Sequence, residues 1–345
     1  MQIIDNPWRG QGIDLPDTPM PSTDAETVRA LLAQCPAADE TPLVDAQGVA
    51  MRIGAAHLWI KDERTRMGLG SFKALGAAYV IAHEAVGTGA DDLTTALNGR
   101  CYVTASAGNH GLSVAAGAKV FGARAVIYLS DTVPEGFAER LRAKGAEVVR
   151  AGADYEASMD AAQQAATENS WTLLSDSSWP GYMDLPHRLM EGYLAMAAEA
   201  AEQVGETPTH IYLQAGVGGL AGACAAYFRK IWGDAPRIIL VEPDAAPALY
   251  ESIRAGKVVD TQGPVSDMGR LDCKTPSMIA LKGLSRDADA FALISEDDAQ
   301  AALPVLAGAG LETTSSGGAG VAAALLDGVP PEARVLCILS EEAEA

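Results

Sequence analysis

At 345 residues with 48% hydrophobic content, the chain is long enough to bury one large core or two ordinary ones. Its 45 acidic against 25 basic residues leave a formal charge of −20, which argues against a nucleic-acid partner, because phosphate backbones are held by clustered Lys and Arg. No apolar run reaches the roughly 18 residues that a bilayer span requires, and the opening MQIIDNPWRG lacks the basic-then-apolar order of a secretory signal, so a cytoplasmic protein without membrane contact is expected.

In chain order, the first 55 residues are Pro- and Asp-rich and offer one good helix, near 24–34. Residues 57–80, HLWIKDERTRMGLGSFKALGAAYV, read as an apolar strand, a polar Gly-containing turn and an amphipathic helix opened by Ser71-Phe72-Lys73. From about residue 100, short runs rich in Val, Ile and Leu alternate with Ala-rich helical stretches at βαβ spacing. Strands are predicted at 101–104, 125–129, 146–149, 171–174, 210–214, 237–241, 291–294 and 334–339, each buried on both faces. Helices are predicted near 110–121, 135–144, 154–168, 187–204, 219–232, 296–308 and 318–327. The stretch 255–290 reads as irregular. The pattern is an α/β fold with open, largely parallel sheets covered by helices. Cys35, Cys101, Cys224, Cys273 and Cys337 are odd in number and outside any CxxC or Cys/His pattern, so reduced thiols and no metal site are expected.

Four segments at strand C-termini carry candidate chemistry. Lys73 sits in the first turn of a helix, where the macrodipole favours acidic residues, and among Phe72, Ala74 and Leu75. Desolvation there is expected to lower its pKa, as Schiff-base chemistry requires; a lysine snorkelling to solvent is the plain alternative. Ser106-Ala107-Gly108-Asn109-His110-Gly111 follows a strand and opens a helix, exposing backbone N–H groups suited to an anion, or else forming only a tight turn with an Asn cap. Gly216-Val217-Gly218-Gly219-Leu220 repeats that arrangement and is neither a P-loop nor a good dinucleotide fingerprint. Ser340 ends the last strand on the ligand side of such a sheet, followed by the tail EEAEA, which reads as solvated. Glu242 and Asp244 follow another strand and read as surface carboxylates.

Taken together, these segments resemble the fold-type-II pyridoxal-phosphate enzymes, the group of threonine and serine dehydratases, serine racemase and tryptophan synthase β. The resemblance implies pyridoxal 5'-phosphate bound to Lys73 as a Schiff base, with Phe72 beside it. It places Asn109 on the cofactor's phenolic oxygen, Gly216, Val217, Gly218, Gly219 and Leu220 around its phosphate, and Ser340 at its pyridine nitrogen. Ser106, Ala107, Gly108 and His110 become substrate-binding. It also implies a two-domain chain, with 1–100 and 181–345 forming a large cofactor-binding domain and 101–180 a small mobile one, and a homodimer.

Three stretches, 61–79, 176–193 (DSSWPGYMDLPHRLMEGY) and 267–284 (DMGRLDCKTPSMIALKGL), resemble the diaminopropionate ammonia-lyases specifically. This implies elimination of ammonia from a small amino acid, with Asp176 and Lys73 catalytic. There are two departures. Ala107 stands where those lyases carry Asp, and Cys273-Lys274-Thr275-Pro276 replaces their Cys-Gly-Glu-Pro, so preference for the L-isomer is expected. An L-serine, L-threonine or 3-hydroxyaspartate dehydratase is the runner-up, a β-replacement synthase is third, and a non-catalytic small-ligand or nucleotide binder is the alternative from another class. Trp179 and Tyr182 read as packing residues.

Overall fold

Valine-, isoleucine- and leucine-rich runs form the sheets of the computed structural model, which describes residues 1–35, 37–106 and 108–344. The strands are β1 (Gln2–Asp5), β2 (Leu43–Asp45), β3 (His57–Asp62), β4 (Cys101–Ala105), β5 (Arg124–Leu129), β6 (Glu147–Arg150), β7 (Thr172–Leu173), β8 (His210–Gln214), β9 (Arg237–Pro243), β10 (Ala290–Ile294) and β11 (Arg334–Leu339). Seven of them make one sheet in the order β1-β10-β9-β8-β11-β3-β2, and four make a second in the order β6-β5-β4-β7. All pairings are parallel except β1 with β10 and β2 with β3 at the two edges of the larger sheet. Both sheets are covered by helices, which is why β4 and β10 are buried along their whole length and β8 at all but its first residue.

The expectation of strands buried on both faces fails at β6 and β7, which are only half-buried because each has a neighbour on one side. The edge strands β1 and β2 escaped notice, since four- and three-residue strands carry no readable period. Residues 255–290 are not all irregular: Met278–Asp287 is a helix that packs on the helix Gly219–Trp232. The single helix predicted over 187–204 is two, Asp184–Gly192 and Leu194–Gln203, meeting at Tyr193. There the chain presses on the helix Lys73–Gly87 so closely that a Cβ on Gly192 would stand 2.4 Å from the Leu75 carbonyl oxygen.

Register carries the last strand to the site. Leu339 lies opposite Asp62, so Ser340 arrives beside the turn that follows β3, and its carbonyl accepts the Phe72 N–H at 3.1 Å. That turn is pinned from beneath by a buried charge network. Arg66, 1% exposed, donates to Glu63 and Glu199 at 2.6–2.9 Å, and Lys61, fully buried, reaches Glu199 at 2.6 Å. Two cations thus face two carboxylates. Burial pushes the Lys61 ammonium down, whereas the paired carboxylates outweigh burial for Arg66 and raise it. Glu199→Ala leaves the two cations with one carboxylate, and we expect it to lower unfolding free energy by about 3–5 kcal/mol, read from urea denaturation of the apoprotein.

Candidate active site

The turn after β3 delivers Lys73 as the first residue of the helix Lys73–Gly87, preceded by Phe72 in αR conformation and without any side-chain cap. From the other sheet, the segment after β7 brings Asp176, whose Oδ2 contacts Lys73 Nζ directly. Burial acts first on both groups, against their charges, and is overcome by their mutual attraction. The Lys73 ammonium is held above, and the Asp176 carboxyl well below, its ordinary range. The sequence-based expectation of a lowered lysine pKa is therefore corrected: it considered the apolar neighbours in the chain and not the carboxylate that the fold supplies.

Asp176 is itself held by its neighbours. Tyr182 Oη donates to the Leu173 carbonyl at 2.8 Å and accepts the Ser175 N–H at 3.1 Å, while its ring stacks on Trp179 at 4.4 Å between centroids. Beyond the turn, Ser178 and Ser277 share a hydroxyl hydrogen bond of 2.7 Å, fixing this segment to the helix Met278–Asp287. His110 is buried, and its Nε2 donates to the Leu174 carbonyl at 2.8 Å, which leaves Nδ1 an acceptor without a partner among the described residues. Burial, aided by the Lys73 charge, lowers the His110 pKa despite the attraction of Asp176, so the ring is neutral.

Ser106 and Asn109 take structural partners that the sequence did not indicate. Ser106 Oγ accepts the N–H groups of Gly108 and Gly111, each at 3.2 Å, closing the turn. Gly108, and not Asn109, caps the helix Asn109–Val120. The Asn109 amide instead donates from Nδ2 to Glu341 Oε2 at 2.5 Å. Ala107 lies outside the described residues.

The glycine loop closes the opposite side. A Cβ on Gly216 would stand 2.9 Å from Cys273 Sγ, and Gly218 has φ +97° with Leu249 Cδ1 2.9 Å from its missing Cβ, so neither position admits a side chain. The helix Gly219–Trp232 opens there without a side-chain cap. Tyr193 spans from Gly219 to Gly76 of the lysine helix, packs with its ring tilted by 59° against Phe72 at 4.9 Å between centroids, and keeps a buried Oη without a partner among the described residues; burial raises its pKa despite the Lys73 charge. Burial likewise pushes the Cys273 thiol up to about 12, with Asp176 adding to the effect.

Three residues at the site went unnoticed in the sequence. Tyr193 and Cys273 lie in stretches that were singled out, but nothing local marks them as facing Lys73. Glu341 belongs to the tail read as solvated, and the structure corrects this: it is 4% exposed. Glu242 is similarly buried, accepting the N–H groups of Leu249 and Tyr250 at 2.8 and 2.7 Å; burial dominates these bonds and lifts its pKa to about 8. Lys274 is occupied with the carbonyls of Ala245 and Pro264 and with Asp272, so it does not enter the site.

A cluster of this kind, with an amine in a helix first turn facing a glycine loop, has a counterpart among known proteins. Residues 35–341 match the family described as pyridoxal-phosphate dependent enzyme. This chain belongs to that family. It is 35% identical over 291 residues to a diaminopropionate ammonia-lyase of Salmonella typhimurium, covering 76% of this chain and 70% of that one. A D-serine dehydratase of Rhizobium etli, described as probable, is 27% identical over 293 residues, covering 72% and 64%. The diaminopropionate ammonia-lyase of Escherichia coli, solved in complex with an aminoacrylate-PLP azomethine reaction intermediate, superposes with a TM-score of 0.87 at 28% identity, over 99% of this chain and 93% of that one.

The residues present fit the family's cofactor. An amine, an uncapped helix N-terminus behind two glycines that admit no side chain, and unpartnered polar atoms on Tyr193 and His110 suit a molecule with an aldehyde, an anionic phosphate and hydrogen-bonding ring substituents. Gly219 provides a discriminating test, because its Cβ would make only ordinary contacts, 3.5 Å from Tyr193 and 3.7 Å from Met190. An aspartate there suits the helix dipole yet opposes a phosphate. Gly219→Asp should keep or raise the melting temperature of the apoprotein while weakening pyridoxal-phosphate binding by about ten- to a hundredfold, measured by fluorescence titration.

Proposed function

We propose that the chain catalyses elimination of ammonia from 2,3-diaminopropionate, with the L-isomer preferred. One water is consumed, and pyruvate and two molecules of ammonia are released. The observation that carries this reading is the contact of Asp176 with Lys73 Nζ inside the buried cluster, since an α,β-elimination needs one group to take a proton from the α-carbon and another to return one to the leaving group. The similarity to diaminopropionate ammonia-lyases supports the choice of leaving group.

Lys73 would hold pyridoxal phosphate through Nζ, with Phe72, Asn109, Gly216 to Leu220 and Ser340 around it. The bound cofactor supplies an electron-withdrawing ring that makes an α-proton removable. Asp176, ionised, would accept that proton at Oδ2, and Lys73 Nζ, in contact with it, would offer a second base. The β-amine departs with a proton returned by the same pair. Gly108 and His110 line the substrate side of the turn, with Ser106 holding its shape and Ala107 removing the acid that would serve a D-isomer.

Residues 101–180 would act as the small mobile domain against 1–100 and 181–345. In support, all four strands of the smaller sheet fall within that segment, and Asp176 meets Lys73 from it. A cytoplasmic homodimer completes the reading, checked by light scattering. Ala107 favours a second reading, a dehydratase acting on L-serine, L-threonine or 3-hydroxyaspartate. An oxo-acid release assay across these and both isomers of diaminopropionate separates the two: the highest kcat/KM on L-diaminopropionate supports the lyase, and on a hydroxy amino acid the dehydratase.

A further inference from the structure

The acidic residue that follows the last strand is not spare surface charge. Glu341 is 4% exposed and is gripped on every side: Thr314 Oγ1 donates to its Oε1, Asn109 Nδ2 donates to its Oε2 at 2.5 Å, and Thr313 Oγ1 donates to its backbone carbonyl at 2.5 Å. Its backbone also pairs with Ser71, two residues before Lys73, and Gly317 leaves room for its stem, since a Cβ there would stand 3.0 Å from Glu341 Cγ. Arg270 Nε, 3.7 Å from Oε2, is the cation nearest to it and forms no hydrogen bond of its own. Placing a carboxylate in such a position is costly unless its bonds are used.

A side-chain amide has two faces of opposite character, and an unrestrained Asn presents either. A carboxylate oxygen against Nδ2 removes that freedom, because the flipped amide would set Oδ1 against it. We propose that Glu341 is a positioning residue that locks the Asn109 amide in one orientation, so that its remaining N–H hydrogen and its oxygen are presented to the bound cofactor in a fixed sense. This deepens the reading of the site as a pyridoxal-phosphate site and rests on it.

The holoenzyme's visible absorbance and its cofactor dissociation constant test the coupling. Asn109→Ala should move the absorption maximum and weaken cofactor binding by about ten- to a hundredfold, the size of a hydrogen bond involving a charged group. Glu341→Ala should move both in the same direction by a similar amount, and the double variant should go no further than either single one. Glu341→Gln retains an acceptor oxygen for Nδ2 and should restore most of the absorbance and affinity. An unshifted band and unchanged affinity in Glu341→Ala, or additivity with Asn109→Ala, overturns the inference. Should Glu341→Ala fail to fold, Glu341→Met, which keeps bulk but removes both acceptor oxygens, takes its place, and an unshifted band or additivity with Asn109→Ala overturns the inference equally. An unaltered protein that gains no absorbance on incubation with pyridoxal phosphate overturns the cofactor-site reading itself; a coloured protein with a colour-neutral Glu341→Ala overturns the positioning role alone.

Discussion

Lys73→Ala is expected to abolish turnover, by about five orders of magnitude or more in kcat, roughly 7 kcal/mol of activation free energy. It is also expected to lose the visible absorbance that borohydride removes from a covalently attached cofactor. Lys73 is the lysine that the fold brings onto Asp176, whereas Lys61 and Lys274 are occupied elsewhere, so among the described residues neither of these amines takes its place. Pyridoxal phosphate should still bind reversibly, because the loop and the helix N-terminus are untouched. The variant also strands Asp176. Its carboxyl, held low by Lys73 against the effect of burial, should then titrate at higher pH. Borohydride-sensitive colour in Lys73→Ala would refute the assignment.

Asp176→Asn is the second large effect. It preserves size and hydrogen bonding but cannot take a proton, so kcat should fall by roughly two to four orders of magnitude while cofactor binding persists. A further consequence follows from the ion pair. With the carboxylate gone, burial of the Lys73 ammonium loses its largest opponent and the pKa falls, so the neutral amine forms at lower pH and cofactor attachment extends to more acidic conditions. A mere turn-capping role would instead cost about 1 kcal/mol of stability and little rate. Near-normal turnover in Asp176→Asn, alongside an inactive Lys73→Ala, would make Lys73 itself the base and favour the dehydratase reading.

The pair also has a defined pH signature in the apoprotein. The Asp176 pKa is depressed in the folded state, so its contribution to stability is present above the unfolded carboxyl value of about 3.9 and lost as pH falls further. The Lys73 pKa is raised, so its contribution is present below the unfolded amine value of about 10.4 and lost as pH rises through the folded one. Their coupling in a double-mutant cycle should therefore be flat between these limits.

The sequence by itself determined the strand-turn-helix units, because the period of apolar residues and the placement of glycine are local properties of the chain. Lys73, the turn before Asn109, the loop at Gly216 to Leu220 and Ser340 at the end of β11 were all legible in this way, as was the family. Tertiary structure decided the rest. Lys73 and Asp176 lie 103 residues apart, and the charge each carries is set by the other and not by its neighbours in the chain. Glu341 looks like a solvated tail until β11 pairs with β3 and carries it beneath Asn109. The break at Tyr193, which carries a buried phenol, coincides with the close approach of Gly192 to Leu75, a contact that no local periodicity encodes. Local propensity reports which backbone shapes a segment favours; burial and through-space charge depend on what the completed fold lays against it.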